Sequence, residues 1–512
     1  MTKASDTANI LKQPFTNTLG TSNYRAGVNA GNTIASGGNY NTVVGDEAGT
    51  QISTGDNNVA VGYISLDANT TGADNVAIGF SSLSTNITGI RNTATGSNAL
   101  FVTTGSYNTA NGAFSMYTNI GGASNTATGI YSLYANTTGD FNVAVGTQAL
   151  TANTTADSNT AVGTQAGFSN TTGTEVTAIG YRAGRSNTTA SSNTSIGFQA
   201  LYSTTTGNSN NAFGSGALYH NTEGTDNVAM GVNSLVTNTT GSHNIGIGRD
   251  AGKDITDGER NILIGGIAGE EITTADDIIA IGYRSGGGNA GAATTGHDNV
   301  CIGTSSGESL TTGFANIFMG KDSGSTTTQA ARNICIGHQA RNAVATDDDT
   351  IVLGYNIAGA SNDFSFGKAS NVVTNDFDSD ANWSRASDER LKKNITDQKL
   401  GLDFINDLRT VKYNWKPSHE LDSTDSQLAH LYKEKEADNE MNTTVTMHNF
   451  IAQEVKTALD KAGVSDFAGW KVDQYGVQQV SREMFIIPLV KALQELSAKN
   501  DALEARIRAL ES

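Results

Sequence analysis

Apolar and polar positions alternate along most of this chain in one short, recurring cadence. Five residues of the form N-[TVI]-[small]-[VIT]-G return again and again, as in Asn58-Val-Ala-Val-Gly62, Asn142-Val-Ala-Val-Gly146, Asn227-Val-Ala-Met-Gly231 and Asn333-Ile-Cys-Ile-Gly337. The closing glycines stand at 45, 62, 79, 96, 112, 129, 146, 163, 180, 197, 214, 231, 248, 265, 282, 303, 320, 337 and 354. These nineteen copies are spaced by 17 residues, with one gap of 16 before Gly112 and one of 21 before Gly303. A degenerate earlier copy ends at Gly27. β-Branched residues flanking a small one, then Gly and an Asn/Thr/Gly corner, predict a short strand followed by a turn. A fixed period of this length predicts that each unit is one coil of a β-solenoid.

Strand alternation sharpens that expectation. Val59 and Val61 share one face and Ala60 takes the other, so both faces are expected to be buried. A thin coil has only one interior, and copies of the same chain around an axis are expected to cover the second face. The predicted fold is therefore mainly β, an elongated trimeric β-solenoid of about nineteen 17-residue coils. Stacked at strand spacing, these coils make a shaft on the order of 90 Å long. The recurring Asn and Thr are read as structural ladders along the stack rather than as binding groups.

The pattern changes completely near the C-terminus. Ile486, Leu489, Leu493, Leu496, Asn500, Leu503, Ile507 and Leu510 alternate spacings of three and four, which predicts a coiled-coil seam within residues 484–512. Asn500 sits at an a position, where a polar side chain fixes register at a cost in stability.

Charge marks the same division. Residues 1–386 hold 15 basic and 29 acidic side chains, a net charge of 15 − 29 = −14, and residues 387–512 hold 17 and 21. An acidic shaft without clustered Lys and Arg argues against nucleic acid as a partner. The 58 Gly follow no Gly-X-Y period and Pro numbers only 3, which excludes collagen and Pro-rich disorder. No apolar run is long enough to span a bilayer, and no export signal is expected from the opening residues.

Few side chains in the array suggest chemistry. Cys301 and Cys335 hold the same position two coils apart, too far for a disulfide, and are expected to be buried apolar fillers. His220, His243, His297 and His338 lie in different coils without metal-ligand spacing, and no metal or other cofactor is expected. Between residues 95 and 141 the fourth strand position turns polar (Thr95, Asn111, Thr128) while Phe101, Tyr107, Phe114, Tyr117, Tyr131, Tyr134 and Phe141 gather. Packing between neighbouring coils is the expected role of these rings. No carboxylate pair recurs at a fixed position, as a polysaccharide hydrolase would need.

The repeats resemble the heads of trimeric autotransporter adhesins and the shafts of phage tail fibres, with a longer unit than the adhesin heads. A second resemblance begins at Ser387-Asp-Glu-Arg-Leu-Lys-Lys-Asn-Ile395. It continues through GLDFINDLRTVKYNWKP and His448-Asn-Phe-Ile-Ala-Gln-Glu-Val455 to YGVQQVSREMFIIPLVKALQEL. This order is similar to the intramolecular chaperone domain at the C-terminus of endosialidase-type phage tailspikes and many tail fibres. The resemblance implies trimerisation, help in folding the upstream β-structure, and autoproteolysis between Ala386 and Ser387. It makes Ser387 the nucleophile and Lys392 its base, with Asp388 and His448 as possible accessories. Asn449 stands where the family usually has Gly. Five residues on an α-helix would set Ser387 and Lys392 about 140° apart. The segment is therefore expected to be non-helical, or the pair to form between chains. Without the resemblance, Ser387 would be a helix N-cap with Asp388 and Glu389 in the first turn.

These readings give an attachment segment at 1–22, a solenoid shaft at 23–354, a connector and mature C-terminus at 355–386, and a small α+β chaperone domain at 387–512 ending in a trimeric coiled coil. The implied protein is a phage tail-fibre precursor, made in the host cytoplasm and carried on the virion tail. Its expected partners are two further copies, a tail or baseplate protein, and a bacterial surface receptor of glycan or outer-membrane type. Adhesive sites are expected towards residues 283–385. A cellular trimeric surface adhesin and a polysaccharide depolymerase are the alternatives.

Overall fold

The computed structural model describes residues 20–287, 291, 293–376, 389–436 and 443–511. Most of the 1–22 attachment segment falls outside them. The chain divides into two units, residues 1–386 and 387–512.

In the first unit each pentapeptide forms a strand of three residues, parallel to the strands before and after it. Val59, Ala60 and Val61 pair with Val76, Ala77 and Ile78, and the same register recurs along the array. Among the described residues twenty such strands follow one another, from Tyr24–Ala26, the degenerate copy, to Ile351–Tyr355. The irregular gaps are absorbed in the corners. Strand Thr93–Thr95 still pairs in register with Thr109–Asn111, and Ile279–Ile281 with Val300–Ile302. The fold is a mainly β solenoid of about twenty turns.

The Asn that opens each pentapeptide explains why the coils stack so regularly. Asn142 is fully buried, its Nδ2 donates to the Ala156 carbonyl at 2.8 Å, and its backbone N–H donates to Asn125 Oδ1 at 2.8 Å. Its own Oδ1 accepts the Asn159 N–H at 3.0 Å. One amide thus closes a corner within its coil and ties that coil to both neighbours. A second column, from Asn69 to Asn238, repeats the device: Asn153 Nδ2 donates to Asn136 Oδ1 at 2.8 Å and to the Ala156 carbonyl at 3.1 Å. Every buried polar group used this way is one that would otherwise lose its water without replacement.

The two strand faces differ within a single chain. The middle residue points into the coil, and Ala60, Ala77, Ala144 and Ala161 have no exposed surface. Its neighbours point outwards: Ile78, Ile179 and Met230 are 40%, 37% and 44% exposed. The small residue belongs to the interior because a coil of 17 residues encloses little volume. The outward apolar positions are only partly covered within a single chain.

Interior volume is shared between three positions in each coil. Eight of the nineteen coils place a Leu four residues after the closing Gly, as at Leu66, Leu83 and Leu133, with an Asn or Thr three residues later. Where that Leu is replaced by Gly49, Gly252 or Gly269, the later position is Ile52, Ile255 or Ile272. A Cβ added at Gly49 would lie 2.7 Å from Ile52 Cδ1, so the two arrangements fill the same space from opposite sides. Cys301 and Cys335 are middle-strand residues on either side of Phe318, both free and buried. Burial pushes both thiols up to about 12, so neither offers a thiolate near neutral pH.

The aromatic rings do stack between coils. Phe101, Tyr117 and Tyr134 form one column, with centroids 5.1 and 5.3 Å apart and planes within 9° of parallel. Phe114 and Tyr131 start a second column at 5.2 Å.

The sheet extends past Gly354, the expected end of the shaft. Strand Asp363–Lys368 pairs in parallel with Ile351–Tyr355, and Asn371–Asp376 then pairs antiparallel with it. Residues 355–376 are therefore a shortened last coil and a hairpin rather than a plain connector. Reversing strand direction ends the parallel stack and covers its exposed edge.

Deleting residues 142–158 removes one complete coil and places Asn159 where Asn142 was, so the ladder from Asn125 can re-form. The full-length variant should stay soluble and be shorter by about 5 Å, measured by small-angle scattering. Deleting residues 142–149 instead breaks the register and should give aggregate. Equal tolerance of both deletions would show that the coil is not the structural unit.

Candidate functional site

The first described residues of the second unit form a three-residue 3-10 turn, Glu389–Leu391. The N–H of Lys392 closes that turn on the Glu389 carbonyl at 2.9 Å. Residues 392–401 follow without regular structure, and the Lys392 side chain is exposed. Ala386, Ser387 and Asp388 lie outside the described residues, as does the first half of the N-cap alternative.

His448 lies on strand Met447–Asn449, which pairs antiparallel with Val411–Tyr413 and sets His448 opposite Lys412. It lines an open cleft of about 460 Å³ together with Thr410, Val411, Lys412, Phe450 and Arg482. Thr410, Lys412 and Arg482 were not singled out from the sequence, since a lone Lys or Arg in a polar stretch carries no signal of what it faces. Asn449 keeps ordinary extended backbone, and its Oδ1 accepts the Phe450 N–H at 2.9 Å. The position therefore makes no demand for glycine here.

Phe450 leads directly into the core of this unit. Phe485, nearly fully buried, stacks on Phe404 at 6.2 Å, packs tilted against Phe450 at 4.8 Å and meets Phe467 edge-on at 5.2 Å. The amphipathic helix Ala452–Ala462 contributes Val455, Ala458 and Leu459 to the same core and ends on left-handed Gly463. Two ion pairs fasten it from outside. Arg409 Nε meets Glu454 at 3.1 Å and holds that carboxyl below its usual range, and Lys461 meets Asp407 at 2.7 Å. Both pairs are solvent-facing and contribute little to stability.

The C-terminal helix runs from Ile486 to Glu511. Pro488 is tolerated because it falls in the first turn, where its missing N–H has no intrahelical partner to lose. The first half of the helix is anchored: Glu495 accepts the Leu402 N–H at 2.8 Å, at the start of the short helix Leu402–Asn406. A Cβ at Gly401 would lie 2.4 Å from that carboxylate, so glycine is what lets it approach. The predicted seam behaves differently. Leu489, Leu493, Leu496, Leu503, Ile507 and Leu510 are each at least half exposed, and Asn500 is exposed with them. Such an apolar stripe on a helix is stable only against another surface.

Residues 387–464 match the chaperone of endosialidase family. The match starts on Ser387, at the boundary between the two structural units, and stops before the hairpin Trp470–Val472/Gln478–Val480 and the C-terminal helix. No curated protein matches the chain significantly. A chaperone domain of this family implies a trimeric assembly, and its place behind a repetitive β-solenoid gives the chain a tail-fibre or endosialidase-type architecture. Among the described residues no group of three His, Cys, Asp or Glu side chains is placed to hold a metal ion.

Replacing Leu496 and Leu503 with Asp tests the seam without touching the chaperone core around Phe485. Charges in a packed seam cannot be solvated, so the double variant should be monomeric or aggregated by light scattering, with the solenoid failing to fold. A soluble, heat-resistant trimer from this variant would remove the helix from any nucleating role.

Proposed function

We propose that the chain is the precursor of a phage tail fibre. In this reading residues 387–512 trimerise the chains in the host cytoplasm, template the solenoid, and are cut away, leaving a receptor-binding fibre on the virion tail. The observation that carries it is a coincidence of boundaries: the family match begins at Ser387, and the structural units divide at the same bond. The exposed outer strand positions of the solenoid and the exposed seam support assembly from both ends of the chain. Each is an apolar surface that a second and third copy would cover.

The cleavage chemistry follows from residue types. Ser387 Oγ adds to the Ala386 carbonyl carbon while Lys392 takes the hydroxyl proton. The C–N bond then breaks, the Ser387 nitrogen leaves as an amine carrying a proton, and Ala386 is held as an ester on Ser387. Water hydrolyses that ester, giving a carboxylate at Ala386 and a free N-terminal Ser387. A lysine acts as base only when neutral, and burial is what favours the neutral amine. Lys392 is exposed in a single chain, so a neighbouring subunit is the natural source of that cover. Cleavage would then follow assembly rather than precede it. Asp388 and His448 are accessories in this scheme, with His448 presented at the cleft beside Arg482.

Expressed alone, the chain should yield fragments 1–386 and 387–512, the smaller beginning with Ser387 by N-terminal sequencing. Ser387→Ala and Lys392→Ala should each remain full length and still trimerise, because folding uses other contacts. Persistent cleavage of Ser387→Ala, or a different first residue, would return Ser387 to an N-cap. Antibody raised against residues 23–354 should decorate virion tails in electron micrographs. Decoration of the bacterial surface in uninfected cells would favour the cellular adhesin.

A further inference from the structure

One stretch of the solenoid surface departs from the chemistry of the rest. Counted from the Gly that closes each strand, the second and fifth residues of successive coils make two neighbouring columns. Their closeness within a coil is set by Phe114 and Tyr117, with centroids 5.9 Å apart, and by Tyr131 and Tyr134 at 5.5 Å. Further along the same columns come Gln148, Gln165 and Arg182 at the second position, and Phe168, Arg185 and Tyr202 at the fifth.

Arg185 lies between two rings, its guanidinium carbon 5.2 Å from the Phe168 centroid and 5.7 Å from that of Tyr202. Its Nε is buried without a hydrogen-bond partner. Arg182 stacks over Tyr181 at 4.9 Å and donates from Nε to Gln165 Oε1 at 2.8 Å. Gln165 in turn donates to Gln148 Oε1 at 2.9 Å, so a chain of amides fixes the guanidinium's direction. Four other arginines of this acidic unit face carboxylates: Arg91 meets Asp74, Arg249 meets Asp250, Arg260 meets Asp277 and Arg332 meets Asp349. Arg182 and Arg185 have no such partner among the described residues. No Asp or Glu occupies either column in the coils closed by Gly79 through Gly231.

Ring faces here are consumed by stacking, as between Tyr202 and Tyr219 with centroids 4.9 Å apart and planes 2° from parallel. What the surface presents outwards is guanidinium edges, amides and phenolic hydroxyls. It is rich in donors, doubly positive and free of competing carboxylates. Stacking also holds each guanidinium flat, so less freedom is lost when its N–H groups engage an acceptor. The donor columns repeat with each coil, about 4.8 Å per step, close to the length of a pyranose unit. We infer that this face binds an acidic polysaccharide lying along the shaft. Arg182 and Arg185 would take its carboxylates, while Gln165 and Tyr202 take its hydroxyls. The inference rests on the tail-fibre reading for its biological role, and it places a receptor site in mid-shaft rather than towards residues 283–385.

The test is affinity electrophoresis of the full-length protein through gels containing alginate, polygalacturonate or neutral dextran. Alginate and polygalacturonate should retard the wild type, less so as salt is raised, and dextran should not. The Arg182→Gln/Arg185→Gln variant should lose about tenfold or more in affinity, while Arg332→Gln should bind as wild type does. Absence of retardation by both uronates, equal retardation by dextran, or undiminished binding by the double variant each overturns the site. Light scattering and self-cleavage are measured on every sample. Loss of the trimer in the double variant would assign the two arginines to a subunit interface and also overturn the site. A trimeric, self-cleaving wild type that binds no glycan rejects the site alone, whereas a monomeric, uncut wild type rejects the fibre reading.

Discussion

A side-chain amide sealed from water must find its partners in the protein, and in this solenoid the partners are the coils above and below. Asn142 satisfies a corner carbonyl of its own coil, a backbone N–H of the next and, through its own N–H, the amide of the one before. That triple demand is met only if successive Asn residues fall in register, so an integral coil of about 17 residues is enforced by hydrogen bonding more than by hydrophobic burial. The middle-strand positions add little to that burial, since Ala60, Ala77 and Ala144 bury little apolar area each. Closing glycines are bound by the same stacking. A Cβ at Gly146 would meet the Gly163 carbonyl carbon and oxygen at 2.6 Å, and its φ of +130° disfavours any other residue.

The period, the strand positions and the ladder role of Asn were legible because each follows from spacing and residue type alone. Which strand face is interior was less legible. Val59 and Val61 are the more hydrophobic pair, yet Ala60 faces inwards, since enclosed volume rather than hydrophobicity decides the choice in so narrow a coil. The exchange of Leu66 with Asn69 for Gly49 with Ile52 was likewise hidden, because it is a compensation between positions three residues apart that touch only once the corner is folded. The end of the array was misplaced for a related reason. The final coil shortens, so Gly367 follows Gly354 by 13 residues and falls out of the period while keeping the pairing.

In the chaperone unit the motifs located a region but not its geometry. The cleft at His448 depends on residues brought together from two strands and the 3-10 turn before Ile486. Phe485 illustrates why. In sequence it is one more apolar residue ahead of a heptad seam, and in the fold it joins Phe404, Phe450 and Phe467 into one core. The Glu495 contact with Leu402 and Gly401 spans 93 residues and leaves no periodic trace.

These two units present complementary folding problems. The solenoid's contacts are local in a restricted sense, each coil needing only its neighbours, yet no coil is stable alone and the first must form without a template. Its outer strand face is also apolar and only partly covered, so a nascent single chain has the character of an aggregating edge. In the proposed precursor, a helix whose exposed seam is covered when three copies meet would supply the missing step: it would raise the local concentration of chains before any coil must close. Once the ladder is complete, however, the same linkage offers a low-barrier route by which unfolding can begin. The proposed cut between the units would remove that route while leaving every hydrogen bond of the ladder in place. In the proposed precursor, cleavage would therefore change the rate of unfolding rather than the contacts, and would leave the shaft kinetically stable.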